Sequence, residues 1–145
     1  MSDLTLEQAQ TIVVAALGHA RANAMNPLAV CVLDARGALK AFAAEDGTSL
    51  KRGDIARGKA NGALSLGMGS RSLFKRAKEQ PFFISAATAA IGGSLVPVPG
   101  GVLIRAADGQ VMGAVGISGD TSDNDEACAL AGLAAAGLAG DPGED

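Results

Sequence analysis

The chain has 145 residues, a formal net charge of −3 and 48% hydrophobic residues, many of them alanine, with 20 glycines and neither Trp nor Tyr. That length fits one domain with its own core, independent of disulfides or metal. An acidic chain without Trp or Tyr is poorly equipped for nucleic acid, no apolar run reaches the ~18 residues that span a bilayer, and Met1 to Leu6 lacks a signal-peptide pattern. The expectation is a soluble cytoplasmic protein with neither nucleic acid nor membrane as partner.

Thr5 opens the first helix, with Gln8 completing a capping box, and Ala9, Ile12, Val13, Ala16, Leu17 and Ala20 form its apolar stripe. His19, the one histidine, sits at the rim of that stripe. It reads either as a partly covered structural imidazole or as a ligand to a metal or haem iron. Asn26-Pro27 ends this unit. Leu28 to Leu33 and Ala38 to Ala43 read as antiparallel strands about an Asp34–Gly37 turn. Thr48 or Ser49 caps a helix over about 50–66, with Ile55, Ala56, Ala60, Ala63 and Leu64 inward and Arg52, Arg57, Lys59 and Asn61 on other faces. Ser70 caps a short basic helix over 71–79. Phe82 and Phe83, half of the aromatics, anchor a loop or short helix to the core or to a neighbouring subunit. Ile91 to Val96 reads as a short strand.

Pro97 to Gly101 then forms a glycine-gated loop feeding a hairpin, Val102–Arg105 and Val111–Ile117 about Asp108-Gly109. Ser118-Gly119-Asp120 leads into a last helix over about 123–138, where free N–H groups suit an anion. Asp123 with Glu126 resembles a capping box, and Gly132 and Gly137 imply close backbone contact. Asp141 to Asp145 reads as a frayed acidic tail, leaving 1–140 as a single domain. The element order gives an α/β (α+β) fold, an antiparallel sheet flanked by helices. Cys31 and Cys128 read as buried small hydrophobes.

Eight of the twelve Lys and Arg fall between Lys51 and Lys78, and seven of the fifteen acids fall from Asp120 onward. The two stretches either build an anion site or meet across a subunit interface. Asp120, Asp123, Asp125 and Glu126 lack the spacing of a calcium loop, and helix capping and the helix dipole account for most of them. There is no nucleophile elbow, P-loop or dinucleotide fingerprint.

Val30-Cys31-Val32-Leu33-Asp34, Ala56-Arg57-Gly58-Lys59-Ala60, Pro99-Gly100-Gly101-Val102 and Gly113-Ala114-Val115-Gly116-Ile117-Ser118-Gly119 followed by Asp125-Glu126 resemble the GlcG/HbpS family. That family is often labelled haem-degrading and includes the C-terminal domain of PduO-type proteins. The resemblance runs from about Leu4 to Leu138. It implies a profilin-like α/β/α sandwich, homo-oligomers (tetramers or octamers), and binding of haem, another tetrapyrrole or iron. Many relatives read K-A-x-T-A where this chain has Lys59-Ala60-Asn61-Gly62-Ala63.

A ligand-binding protein of this family is the first expectation. Haem or a carboxylate-bearing small molecule would meet Arg57, Lys59 and Arg71, with Asn61, Gly100, Gly101 and Ser118 closing the site and His19 on haem iron. The alternative is a catabolic-pathway enzyme (isomerase, lyase or hydrolase) acting on a small organic acid, with Lys59 as the electrostatic or basic group and Asp120 or Glu126 as its acid/base partner. A third reading is an assembly module joined by its basic and acidic stretches.

Overall fold

The structure is a computed structural model, and it describes residues 3–145. Helix α1 (Leu6–Ala22) starts at Thr5, whose hydroxyl accepts from Gln8 N at 3.1 Å while Gln8 Oε1 accepts from Thr5 N at 3.0 Å. Strands β1 (Ala29–Asp34) and β2 (Leu39–Ala44) follow, joined by a turn in which Asp34 Oδ1 accepts from the backbone of Arg36 and Ala38. Helices α2 (Arg52–Leu66), α3 (Ser70–Glu79) and α4 (Pro81–Ala90) come next. Strands β3 (Gly101–Arg105) and β4 (Val111–Ser118), helix α5 (Ser122–Ala135) and strand β5 (Ala139–Asp141) complete the chain.

The five strands form one antiparallel sheet in the order β2-β1-β4-β3-β5. Strand alternation divides it into two unlike faces. Val30, Val32, Val102, Ile104, Val115 and Ile117 point toward α1 and α5, in a core of branched side chains. Ala29, Cys31, Leu33, Leu103 and Ala114 point the other way, against Ala56, Ala60 and Ala63 of α2. On this second face the backbones nearly touch: a Cβ on Gly116 would collide with the Ala56 carbonyl. A Cβ on Gly132 of α5 would likewise lie 2.6 Å from the Ile12 carbonyl of α1. Some of the glycines thus bring helices close to the sheet and to each other, whereas Gly137, expected to do the same, has nothing within 4 Å of an added Cβ and instead takes left-handed backbone (φ +72°) just after α5.

Several local expectations differ from the structure. Residues 91–96 form no strand, because Gly92 and Gly93 take left-handed backbone (φ +92° and +97°). The following residues lie instead along α2, where Val96 N donates to Gly58 O at 3.1 Å and Leu95 packs against Gly62. Thr48 spends its hydroxyl on the Glu45 carbonyl (2.6 Å), and α2 begins at Arg52 with Lys51 at the cap position and no side-chain cap. Helix α5 is capped by Thr121, which accepts from Asn124 N, and Asp123 is free for other contacts. Residues 141–145 are not frayed. β3 pairs β4 on one side only, and β5 occupies its open side, with Arg105 holding Asp141 at 2.9 Å. Beyond it, Pro142 O accepts from Arg71 N, and Glu144 N donates to Ser72 Oγ at 2.8 Å.

Candidate functional site

Lys59 lies three residues after Ala56 and four before Ala63, on the apolar stripe of α2, and is 2% exposed. Its side chain runs past the sheet at the end where β4 stops and β3 starts, and it links the two helical layers. Nζ donates to Ile117 O at 2.8 Å and to Asp125 Oδ2 at 3.1 Å, and Asp125 is 1% exposed. The other carboxylate oxygen, Oδ1, accepts from Asp120 N at 3.0 Å. Gly100 permits the passage: a Cβ there would stand 2.8 Å from Lys59 Nζ, at φ +123°. A Cβ on Gly101 would collide with the Lys59 carbonyl. Burial pulls the ammonium below the usual lysine range and the Asp125 carboxyl above its own, each opposed by the other's charge.

Ser118 is also buried, and its hydroxyl accepts from Arg52 Nη1 at 3.0 Å. Ser70, expected as a cap, plugs the end of β3: its hydroxyl accepts from Gly101 N and donates to Gly101 O at 3.2 Å. This supplies a ladder partner where β5 does not reach.

Arg71 is the second meeting point of the basic and acidic stretches. Its guanidinium holds Glu126 at 3.0 Å, Asp123, and Asp145 at 2.9 Å. The side chain is 20% exposed, against 78% and 86% for Asp123 and Asp145. These bonds keep the guanidinium protonated and hold the Asp145 carboxyl below the usual range. Asp120 is held low as well, by the N–H of Asn26 (2.9 Å) and the side chain of Asn124 (2.7 Å).

The expected site residues are therefore not one cluster. Lys59, Gly100, Gly101 and Ser118 do meet, but as an internal crossing without room for a ligand. Glu126, proposed as the acid/base partner of Lys59, is on Arg71 instead, and the partner of Lys59 is Asp125. Asn61 donates to Ser94 O at 2.9 Å and fastens the 91–96 loop. Arg57 is exposed and makes no ion pair or side-chain hydrogen bond among the described residues. His19 is on α1, across the sheet from Arg57 and Lys59, so one ligand in one protomer does not reach both. Its ring is half-buried and has no hydrogen-bond partner among the described residues. Burial raises both thiols, Cys31 and Cys128, to about 11, which keeps them protonated. Among the described residues, no His, Cys, Asp and Glu group is arranged to hold a metal ion.

Asp125 is the functional neighbour that sequence reasoning missed. A lysine on an apolar stripe was the available signal, since a buried ammonium requires a counter-charge. The cavities lie elsewhere. One of about 460 Å³ is lined by Asp3, Leu4, Asp34, Ala35, Arg36 and Lys40, at the other end of the sheet from Ser118.

An antiparallel sheet between helical layers, with a lysine crossing beneath a glycine pair, defines a small α/β/α sandwich protein. The family model for haem degrading protein HbpS-like matches residues 4–134, and the chain belongs to that family. A PduOC:heme complex has the same fold, with a TM-score of 0.84, 23% identity, and coverage of 95% of this chain and 98% of that one. HbpS of Streptomyces reticuli, solved as a double mutant, is 28% identical with a TM-score of 0.78, covering 92% and 87%. The ORFY protein of Klebsiella pneumoniae is 24% identical with a TM-score of 0.84, covering 94% and 93%. No match is found among curated proteins.

Proposed function

We propose that this chain binds haem or a closely related tetrapyrrole, as a homo-oligomer, with His19 as the protein ligand to iron. The single observation that carries this reading is the uncommitted His19 imidazole on the α1 surface of an HbpS-like chain. Neutral imidazole is a common haem-iron ligand. The PduOC and HbpS likenesses support the ligand class. The donor set fits haem in this respect alone: one free imidazole at the surface, not an enclosed cleft. Bound there, haem would supply redox-active iron, and His19 would hold and orient it.

Lys59 and Arg71 do not serve as carboxylate anchors in this reading, since each is saturated by the chain's own carboxylates. Arg57 is free but faces away from His19. No observation favours the organic-acid enzyme over haem binding, because the base and acid it requires are committed to other partners.

Titration with hemin, followed by the Soret band, tests the proposal. A saturable red-shifted band that is lost in His19→Ala and kept in Arg57→Ala is the expected result. An unchanged titration in His19→Ala would remove His19 from the site, and no saturable shift in the parent chain would remove haem.

A further inference from the structure

Residues 139–145 cross the molecule as a strap in which no residue is buried. The surface beneath them is nevertheless shaped to receive them. β5 pairs its three residues with Leu103, Ile104 and Arg105 on the open side of β3. Arg105 Nε and Nη2 both donate to Asp141 Oδ2, at 3.0 and 2.9 Å. Beyond the strand, Arg71 N donates to Pro142 O at 3.1 Å, and Arg71 Nη1 donates to Asp145 Oδ1 at 2.9 Å. Ser72 Oγ accepts from Glu144 N at 2.8 Å. Gly69 makes room for the strap's backbone, since a Cβ there would collide with the Pro142 carbonyl.

Sheet edge, cations and the gap at Gly69 together select one kind of occupant. The β3 edge takes an extended backbone, and the two guanidinium groups take carboxylates. The gap takes a turn pressed against α3. The strap fills these places with Ala139–Asp141, two aspartates and an Asp-Pro-Gly turn closed by Gly143 N on Asp141 Oδ1 at 3.1 Å. Its own hold is of the kind that water replaces. Asp145 is 86% exposed, Arg105 and Asp141 are about a third exposed, and ion pairs in such surroundings contribute little. Segments with few buried apolar contacts open locally. Gly137, left-handed and uncrowded, joins the strap to α5 and is its pivot.

We propose that the β3 edge with Arg71 and Arg105 is a docking groove for an extended acidic segment of a partner protein, which the 139–145 strap occupies as an internal competitor. The chain is thereby autoinhibited. Attachment through Gly137 holds the strap at an effective concentration on the order of millimolar, so a partner binds only by displacing it. Displacement leaves Asp123 and Glu126 on Arg71, so no bare charge is stranded. What changes partner is Arg71 Nη1, the Arg71 N–H, Ser72 Oγ and the Arg105 guanidinium. The groove does not rest on the haem reading.

The test empties the groove without altering it. A Cβ on Gly143 would lie 2.6 Å from Ser72 N at a φ of +88°, so Gly143→Val dislodges the strap. Asp141→Asn with Asp145→Asn loosens it in a second way. Circular dichroism checks the fold, and hydrogen exchange of the β3 amides reports whether the strap has left. The probe is a fluorescein-labelled peptide of residues 138–145, LAGDPGED, followed by anisotropy at low salt. Saturable binding is expected in the opened variants, at least about tenfold tighter than in the parent chain. It is expected to be lost with the neutral peptide LAGNPGQN, in about 1 M salt, and on adding Arg71→Ala with Arg105→Ala. Equal binding to parent and opened chains, or binding that survives the two arginine changes, would overturn the groove. Fast β3 exchange without peptide binding would do the same. β3 amides that stay protected in both variants would overturn the release of the strap. A mixed species of parent and Gly143→Val chains, seen by native mass spectrometry and disrupted by the peptide, would reassign the occupant to a second copy.

Discussion

Lys59 and Arg71 each tie the basic middle of the chain to the acidic segment around α5, and they do so in opposite surroundings. Lys59 and Asp125 are 2% and 1% exposed, with every neighbouring donor and acceptor supplied by the protein. Arg71 is at the rim, gripping two carboxylates that are mostly in water and one, on Glu126, that is 13% exposed. In low dielectric the loss of one partner strands the other, whereas at the rim water replaces what is lost. The same sequence-level charge asymmetry thus produces one indispensable contact and one adjustable contact.

The sharpest test of that contrast is to strand a charge. Lys59→Ala or Asp125→Ala is expected to lower stability by about 3–5 kcal/mol, read as a reduced urea midpoint. Replacing both, as Lys59→Met with Asp125→Leu, recovers most of the loss. A double variant as unstable as either single one would mean that the pair contributes more than mutual neutralisation. Gly100→Ala comes next, since its methyl group meets the Lys59 chain and its φ is left-handed. A loss of about 1–3 kcal/mol is expected, and Lys59→Met reduces it.

Arg71→Ala should cost less, about 1 kcal/mol, because two of its three partners are solvated. That difference is expected to shrink in concentrated salt, while the Lys59 effect persists. An Arg71 effect as large as that of Lys59, or equally resistant to salt, would erase the comparison.

The smallest effect is in pH. Asp120 has its folded-state pKa lowered by the hydrogen bonds from Asn26 and Asn124. Its contribution is complete above the unfolded value of 3.8 and is lost as pH falls through the lower folded value. Asp120→Asn should therefore flatten the acid limb of the stability curve below about pH 4. Asp125 has the opposite sign, its folded value being raised, so between 3.8 and that value stability falls as pH rises.

Much of the architecture was legible in the chain. The Thr5–Gln8 box, the helical stripes and the Asp108-Gly109 hairpin are local signals, and local signals specify local structure. The failures share a cause, which is tertiary competition for side chains. Thr48 and Ser70 are good caps by type, but a carbonyl at Glu45 and the unpaired end of β3 claim their hydroxyls. Residues 139–141 carry no strand pattern and pair because β3 has a vacant edge. The site was less legible. Composition shows that basic and acidic stretches exist, yet no spacing tells that Asp125 rather than Glu126 faces Lys59, since adjacent helix positions point in different directions. His19 across the sheet from Arg57 is likewise a fact of topology.

The seat of Leu95 on Gly62 also has a bearing on how this chain departs from its relatives. A Cβ at position 62 would lie 3.0 Å from Leu95 Cγ, and the neighbouring Gly58 meets Val96 at 2.7 Å in the same way. Threonine at 62, as in the K-A-x-T-A pattern, requires the Leu95 side chain to move by a few tenths of an ångström. Shortening Leu95 removes that contact. Positions 62 and 95 are therefore coupled, and a hydroxyl gained on the helix is accommodated more easily once the loop has lost bulk.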